Sequence, residues 1–184
     1  MRSTVVRDRL RLLETARLLT LLALSLLGSA ALSQSELSFG PVGGPGGQPF
    51  RDSVGSNSPR GPLVRLVALY VRSGNYVDSI TALYAPIGKE QDWNAWSSST
   101  RHGGNGGEPS RLDLEAGDCI TSLGVRYGKY IDSLFVKTKQ GVYRRWGGNG
   151  GNTDYVYTAP AGMCIDGFLG RAGDYLDAVG VFIK

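Results

Sequence analysis

Histidine is almost absent from this chain: His102 stands alone in 184 residues, beside two cysteines, two methionines and three tryptophans. One imidazole excludes every metal site built on paired histidines and leaves a nucleophile–His–acid triad a single candidate base. His102 precedes Gly103 in a segment that reads as an exposed loop, so a surface role is expected of it. No Asn-x-Ser/Thr acceptor for N-glycosylation occurs. Beyond residue 33 no stretch keeps a 3.6-residue apolar period, which argues against helices. No Gly-X-Y triplet runs through the chain, so the 27 glycines, about twice the usual share of roughly 7%, belong to loops and not to collagen. Hydrophobic residues make up 41% and charged residues 20%, a balance that suits one globular domain and not a disordered chain.

Positive charge is also scarcer than the net +4 suggests. Arg2, Arg7, Arg9, Arg11 and Arg17 form a basic leader, followed by an apolar run from Leu18 and small residues at Gly28, Ser29, Ala30 and Ala31. This is the pattern of a secretory signal over 1–33, cut after Ala31 or, preferably, Ser33. The apolar core from Leu18 to Leu32 is shorter than the roughly 20 residues of a membrane span. Removal takes five Arg, Asp8 and Glu14 and lowers the net charge from +4 to +1. The basicity belongs to the leader, and no nucleic-acid footprint remains. A secreted, extracellular protein without a membrane span is expected, with a short linker over 34–38 and one domain over 39–184.

That domain repeats itself. Glycine clusters recur at Gly43-Gly44-Pro45-Gly46-Gly47, Gly103-Gly104-Asn105-Gly106-Gly107 and Gly147-Gly148-Asn149-Gly150-Gly151. A second motif, Arg-x-Gly-x-Tyr-aliphatic-Asp, recurs from Arg72 to Asp78, Arg126 to Asp132 and Arg171 to Asp177. The two alternate along the chain. Around the second motif apolar residues alternate with period two, as in Leu69/Val71 with Ile80/Ala82, Leu123/Val125 with Leu134/Val136, and Val179/Val181. Each Gly-x-Tyr is therefore the bend of a β-hairpin, where Gly74, Gly128 and Gly173 are expected to supply a positive φ. The segments Arg51–Arg60 and Pro86–Thr100 read as longer, polar loops. One such unit cannot bury its apolar face alone, whereas three can around a common axis. An all-β domain of three antiparallel sheets with approximate threefold symmetry is predicted.

Asp-bearing turns and glycine loops can be purely structural, and duplicated units inherit their turns. The combination also meets the needs of a sugar. An ionised Asp accepts two hydrogen bonds from adjacent hydroxyls. Main chain without Cβ approaches the ring closely, and Tyr offers a flat face to C–H groups. This reading requires each hairpin Asp to point outward across a glycine stretch. The glycine clusters lack a following Lys-Ser/Thr and a helix, so they do not suit phosphate. Asp174 and Asp177 share one turn, a poor arrangement for paired-carboxylate glycoside hydrolysis, and no enzyme is expected.

Alternating glycine clusters and Gly-x-Tyr-x-Asp hairpins resemble the jacalin-related lectins, and their threefold retention resembles three-site mannose-binding members of that family. The resemblance covers Phe39 to Lys184 and implies a β-prism of three Greek-key sheets that binds sugar without calcium or any other cofactor. It implies that Gly47 faces Gly173, Asp174, Tyr175, Leu176 and Asp177. Gly107 would face Asn75, Tyr76, Val77 and Asp78, and Gly151 would face Lys129, Tyr130, Ile131 and Asp132. Asp174 fits the mannose pattern, while Asn75 and Lys129 depart from it. Galactose-binding members expose a free amino-terminal glycine; Gly47 is internal, so mannose- or glucose-containing glycans and glycoproteins are the implied partners. A homo-oligomer is left open, as is a scaffold or adhesion role with little sugar binding.

Cys119 and Cys164 each lie nine residues before a hairpin glycine. A secreted chain permits a disulfide between them. Equivalent positions on two sheets can meet only near the symmetry axis, so the pairing stays open at this stage.

Overall fold

The structure, a computed structural model, describes residues 37–52 and 64–184. The expected signal over 1–33, the start of the linker, and residues 53–60 of the expected first long loop lie outside the described residues. Two strands open the fold, β1 (Leu37–Gly43) and β2 (Gln48–Asp52), followed by a long hairpin of β3 (Val64–Ser73) and β4 (Val77–Pro86). A 3-10 turn at Trp93–Ala95 leads to the short β5 (Ser97–Ser98) and β6 (His102–Gly103), then β7 (Glu108–Asp113). Next come β8 (Ile120–Tyr127), β9 (Ile131–Thr138), β10 (Tyr143–Gly147) and β11 (Thr153–Thr158), and the chain closes with β12 (Ile165–Ala172) and β13 (Leu176–Ile183).

Three antiparallel units result, as the repeat predicts, and each is a Greek key, as the resemblance implies. Each is a central hairpin flanked by two strands that a glycine cluster joins across its end. The orders are β1-β13-β12-β2, then β5 and β6 along β4-β3-β7, then β10-β9-β8-β11. A single pairing, Ile120 with Ile165, makes the first and third units continuous. The first unit is closed by both ends of the domain, with Leu37 opposite Ile183. The apolar positions that alternate in the sequence form the shared interior. Leu69, Val71, Ile80, Leu123, Val125, Leu134, Val136, Val179 and Val181 are all buried, and each contributes about 1.5–3 kcal/mol by leaving water.

Polar ties also cross between units. The Trp146 indole Nε1–H donates to Ser110 Oγ at 3.0 Å, and the Tyr157 hydroxyl donates to the Val179 carbonyl at 3.1 Å. Burial pushes the Tyr157 pKa up to about 12. Cys119 and Cys164 are bonded, with Cα atoms 5.9 Å apart. They can be, because the Ile120–Ile165 pairing next to them brings the starts of β8 and β12 together. His102 corrects the expectation of an exposed residue. Its ring is half-buried, stacks on Phe50 at 3.9 Å between centroids, and shares a 2.8 Å hydrogen bond with Asp52 Oδ2. Strand β6 lies against β2 of another unit there, a contact that no local pattern announces.

Candidate functional site

Three hairpin bends and three glycine loops gather at one end of the fold, and their geometry repeats. In each hairpin the register slips by one residue just before the bend, at Arg72/Ser73, Arg126/Tyr127 and Arg171/Ala172. The bend itself is closed by the glycine N–H donating to the tyrosine carbonyl: Gly74 to Tyr76 at 2.9 Å, Gly128 to Tyr130 at 3.0 Å and Gly173 to Tyr175 at 2.9 Å. None of these glycines has a positive φ, contrary to the sequence expectation. Within the clusters, positive values occur at the first and last glycines, including Gly47 at 62°, Gly107 at 61° and Gly151 at 73°. At the hairpin glycines an added Cβ would meet only ordinary contacts with the facing loop. A Cβ on Gly173 would sit 3.6 Å from the Gly47 Cα, one on Gly74 3.9 Å from Gly107, and one on Gly128 3.7 Å from Gly151.

The pairs that the resemblance implies thus meet in space. The second glycine of each loop donates its N–H to the main-chain carbonyl of the facing aspartate: Gly44 to Asp177 at 2.8 Å, Gly104 to Asp78 at 3.0 Å, Gly148 to Asp132 at 2.9 Å. The loop then folds over the carboxylate. A Cβ at Gly46 or Gly47 would strike the Asp177 carboxylate, and one at Gly151 would lie 2.8 Å from Asp132 Oδ2. Only main chain fits there, which is why the clusters are glycine.

Asp78, Asp132 and Asp177 therefore do not project outward as expected. They are recessed, 6%, 5% and 3% exposed, at the foot of a cleft between loop and hairpin. Burial raises the pKa of all three above the ordinary aspartate value. The main-chain N–H of Gly74, Gly128 or Gly173 and the guanidinium of Arg72, Arg126 or Arg171 pull in the opposite direction.

The neighbouring hairpin residues divide their tasks differently from the sequence reading. Val77, Ile131 and Leu176 turn their side chains into the core and are fully buried, so only their main chain is left to face a cleft. Tyr76, Tyr130 and Tyr175 pack on one another about the symmetry axis, with ring centroids 5.5, 5.3 and 4.9 Å apart. Three equivalent apolar faces at the tip of a threefold fold shield each other best by meeting at its centre, so they do not stand as separate sugar platforms.

Asn75, Lys129 and Asp174 each border two clefts. Besides sitting in their own bends, they press their main chain on the second glycine of the next loop: Asn75 on Gly148, Lys129 on Gly44 and Asp174 on Gly104. Lys129 Nζ lies 5.0 Å from the Tyr130 ring centre. Its pKa is raised, chiefly by the Tyr130 hydroxyl and then by nearby charges that include Asp177. Arg72, Arg126 and Arg171 are the residues that sequence reasoning left without a task. All three donate to main-chain carbonyls of the facing loop, and the available signal was their identity in every copy. Among the described residues no cluster of three or more His, Cys, Asp or Glu side chains could hold a metal ion.

A recessed carboxylate beneath glycine main chain is a hydrogen-bond acceptor. The model of the Jacalin-like lectin domain matches residues 39–182. The chain belongs to the jacalin-like lectin family. Jacalin-like lectins bind carbohydrate without catalysis. Horcolin of Hordeum vulgare subsp. vulgare is 34% identical over 149 residues, covering 78% of this chain and 94% of its own. The mannose/glucose-specific lectin of Parkia pendula is 27% identical over 164 residues, 82% of this chain but 32% of that one. Among solved structures, Malaysian banana lectin superposes with a TM-score of 0.66 at 25% identity, over 82% of this chain and 99% of its own. The β-prism that the resemblance implied is the fold of these jacalin-like lectins.

Proposed function

We propose that this jacalin-like lectin is secreted and binds mannose- and glucose-type glycans at three sites, each centred on one recessed aspartate. The observation that carries the reading is the threefold recurrence of one constellation. Asp78 lies under Gly106 and Gly107, Asp132 under Gly150 and Gly151, and Asp177 under Gly46 and Gly47. A carboxylate held by main-chain N–H groups presents its remaining lone pairs to two neighbouring hydroxyls of one sugar. Glycine main chain borders each carboxylate, and Gly47 is internal to the chain, unlike the free amino-terminal glycine of the galactose-binding type. The Parkia relative, by its description mannose/glucose-specific, supports the same sugar class. The leader over 1–33 supports secretion.

A glycan array on the protein purified from culture medium tests the sugar class, with terminal mannose and glucose as the expected hits. Replacing Asp78, Asp132 and Asp177 together by Ala is expected to abolish retention on immobilised mannan with the fold intact. Unchanged retention overturns the three-site reading. An empty array from a folded protein favours the scaffold or adhesion role instead.

A further inference from the structure

Beyond the aspartates and glycines, one residue type in the repeated motif contacts every loop in the same way. Arg171 donates from Nε to the Gly46 carbonyl at 2.7 Å and from Nη2 to the Gly47 carbonyl at 2.7 Å. Arg72 makes the same pair with Gly106 and Gly107, both at 2.7 Å. Arg126 makes it with Gly150 at 2.8 Å and Gly151 at 3.0 Å, and its remaining nitrogen pairs with Asp154 at 2.9 Å. Each arginine sits at the register slip before its bend, which is the device by which a strand re-aims one side chain.

We infer that Arg72, Arg126 and Arg171 are positioning residues for carbohydrate: each clamps a glycine loop so that the N–H of its last glycine faces the bound sugar. The inference rests on the lectin reading above and extends it to residues that do not touch the ligand. The geometry is that of the planar peptide. C=O and N–H of one trans unit point in opposite directions. Fixing the Gly46 carbonyl toward Arg171 therefore turns the Gly47 N–H away from it, and fixing the Gly47 carbonyl keeps the next unit from rotating. A glycine loop left to itself samples many such orientations. The guanidinium suits the task because its donors form a rigid fork that engages two carbonyls at once, whereas Lys supplies one mobile point charge. The fork also lies close to the recessed carboxylate. Its charge opposes the effect of burial on Asp177, Asp78 and Asp132 and favours the ionised acceptor.

The experiment uses the full chain with one cleft left active, Asp78→Asn with Asp132→Asn, and compares Arg171→Lys with Arg171→Gln. Backbone amide order parameters are followed at Gly46, Gly47 and core Val179 and Val181, and methyl α-mannoside is titrated across pH. In both variants the Gly47 order parameter is expected to fall from a rigid value of about 0.85 to below about 0.6 with the core amides unchanged, and mannoside affinity to fall about tenfold at neutral pH. Arg171→Gln, lacking the charge, is also expected to lose binding at a higher pH than Arg171→Lys. A Gly47 order parameter equal to the parent's, or a lowered one at unchanged affinity, overturns the clamp. If the parent itself fails to bind mannoside, the sugar assignment falls, and the Gly47 order parameter still decides whether the arginine orders the loop. If Arg171→Lys unfolds the unit that joins the two ends of the domain, Arg72→Lys with Asp132→Asn and Asp177→Asn gives the same readings at Gly107.

Discussion

At Asp177 the requirements of folding and of the proposed sugar binding oppose each other. Burial lifts its pKa above the ordinary 3.8, so the native protein takes up this proton more readily than the unfolded chain does. The stability that the group contributes is therefore full below 3.8 and is lost as pH rises through the elevated folded value. At neutral pH the ionised, recessed carboxylate is a net cost. Sugar binding has the opposite sign, since hydroxyl donors need the ionised acceptor. Mannoside affinity is expected to fall on acidification with a midpoint above 3.8, read by calorimetric titration at a series of pH values. Asp177→Asn keeps the shape and one acceptor but removes the charge. It is expected to leave the midpoint of urea unfolding unchanged or raised while weakening that cleft at least about tenfold. A variant that lost binding only in proportion to lost stability would make Asp177 structural. His102 shows the limit of reading single residues from sequence. Its partners, Asp52 Oδ2 at 2.8 Å and the Phe50 ring, lie some fifty positions away, and only the juxtaposition of β6 and β2 brings them to it.

At the scale of the element, hairpin and loop glycines have different reasons to be glycine, and substitution separates them. Gly47 combines a φ of 62° with a Cβ position that collides with the Asp177 carboxylate and with Ala172 main chain. Gly47→Ala is expected to cost about 1–3 kcal/mol and to abolish binding at that cleft. Gly173 has neither burden. A methyl there meets Gly47 Cα at 3.6 Å and the Asp177 carboxylate at 3.7 Å, ordinary contacts that fill the cleft. Gly173→Ala is expected to hold stability within about 1 kcal/mol of the parent and still lose sugar, as urea unfolding and mannan retention together would show. The period-two pattern located these hairpins and their buried faces because alternation is a local property of a strand. It said nothing reliable about the bend, where alternation stops. The Tyr rings are placed by the bends of the other two units, and the arginines are aimed by the glycine loop of their own unit, which lies far from them in sequence.

For the molecule as a whole, the two ends of the prism do different work. The strand β8, eight residues long, separates Cys119 from the bend at Gly128, as β12 separates Cys164 from Gly173. At about 3.3 Å per residue that is roughly 26 Å of strand between the disulfide and the clefts. The bond closes a 45-residue loop, for which the chain-entropy model gives about 4 kcal/mol. Cys119→Ser with Cys164→Ser is expected to lower stability by about 2–4 kcal/mol while leaving mannoside affinity at 25 °C unchanged.

At the other end the three proposed clefts share their edges. The motif alternation made the threefold arrangement legible in the sequence. It could not show that Asn75, Lys129 and Asp174 each border two clefts, because the shared edges exist only once the tyrosines meet at the axis. If the three proposed clefts engage branches of one glycan together, avidity exceeds single-site affinity by up to about 10²–10⁴. Removing one aspartate, as in Asp132→Asn, is expected to leave methyl α-mannoside affinity at the other two clefts unchanged. It should nevertheless reduce retention on branched mannan by far more than one third. A loss limited to one third would mean that the clefts act one at a time, each on its own ligand.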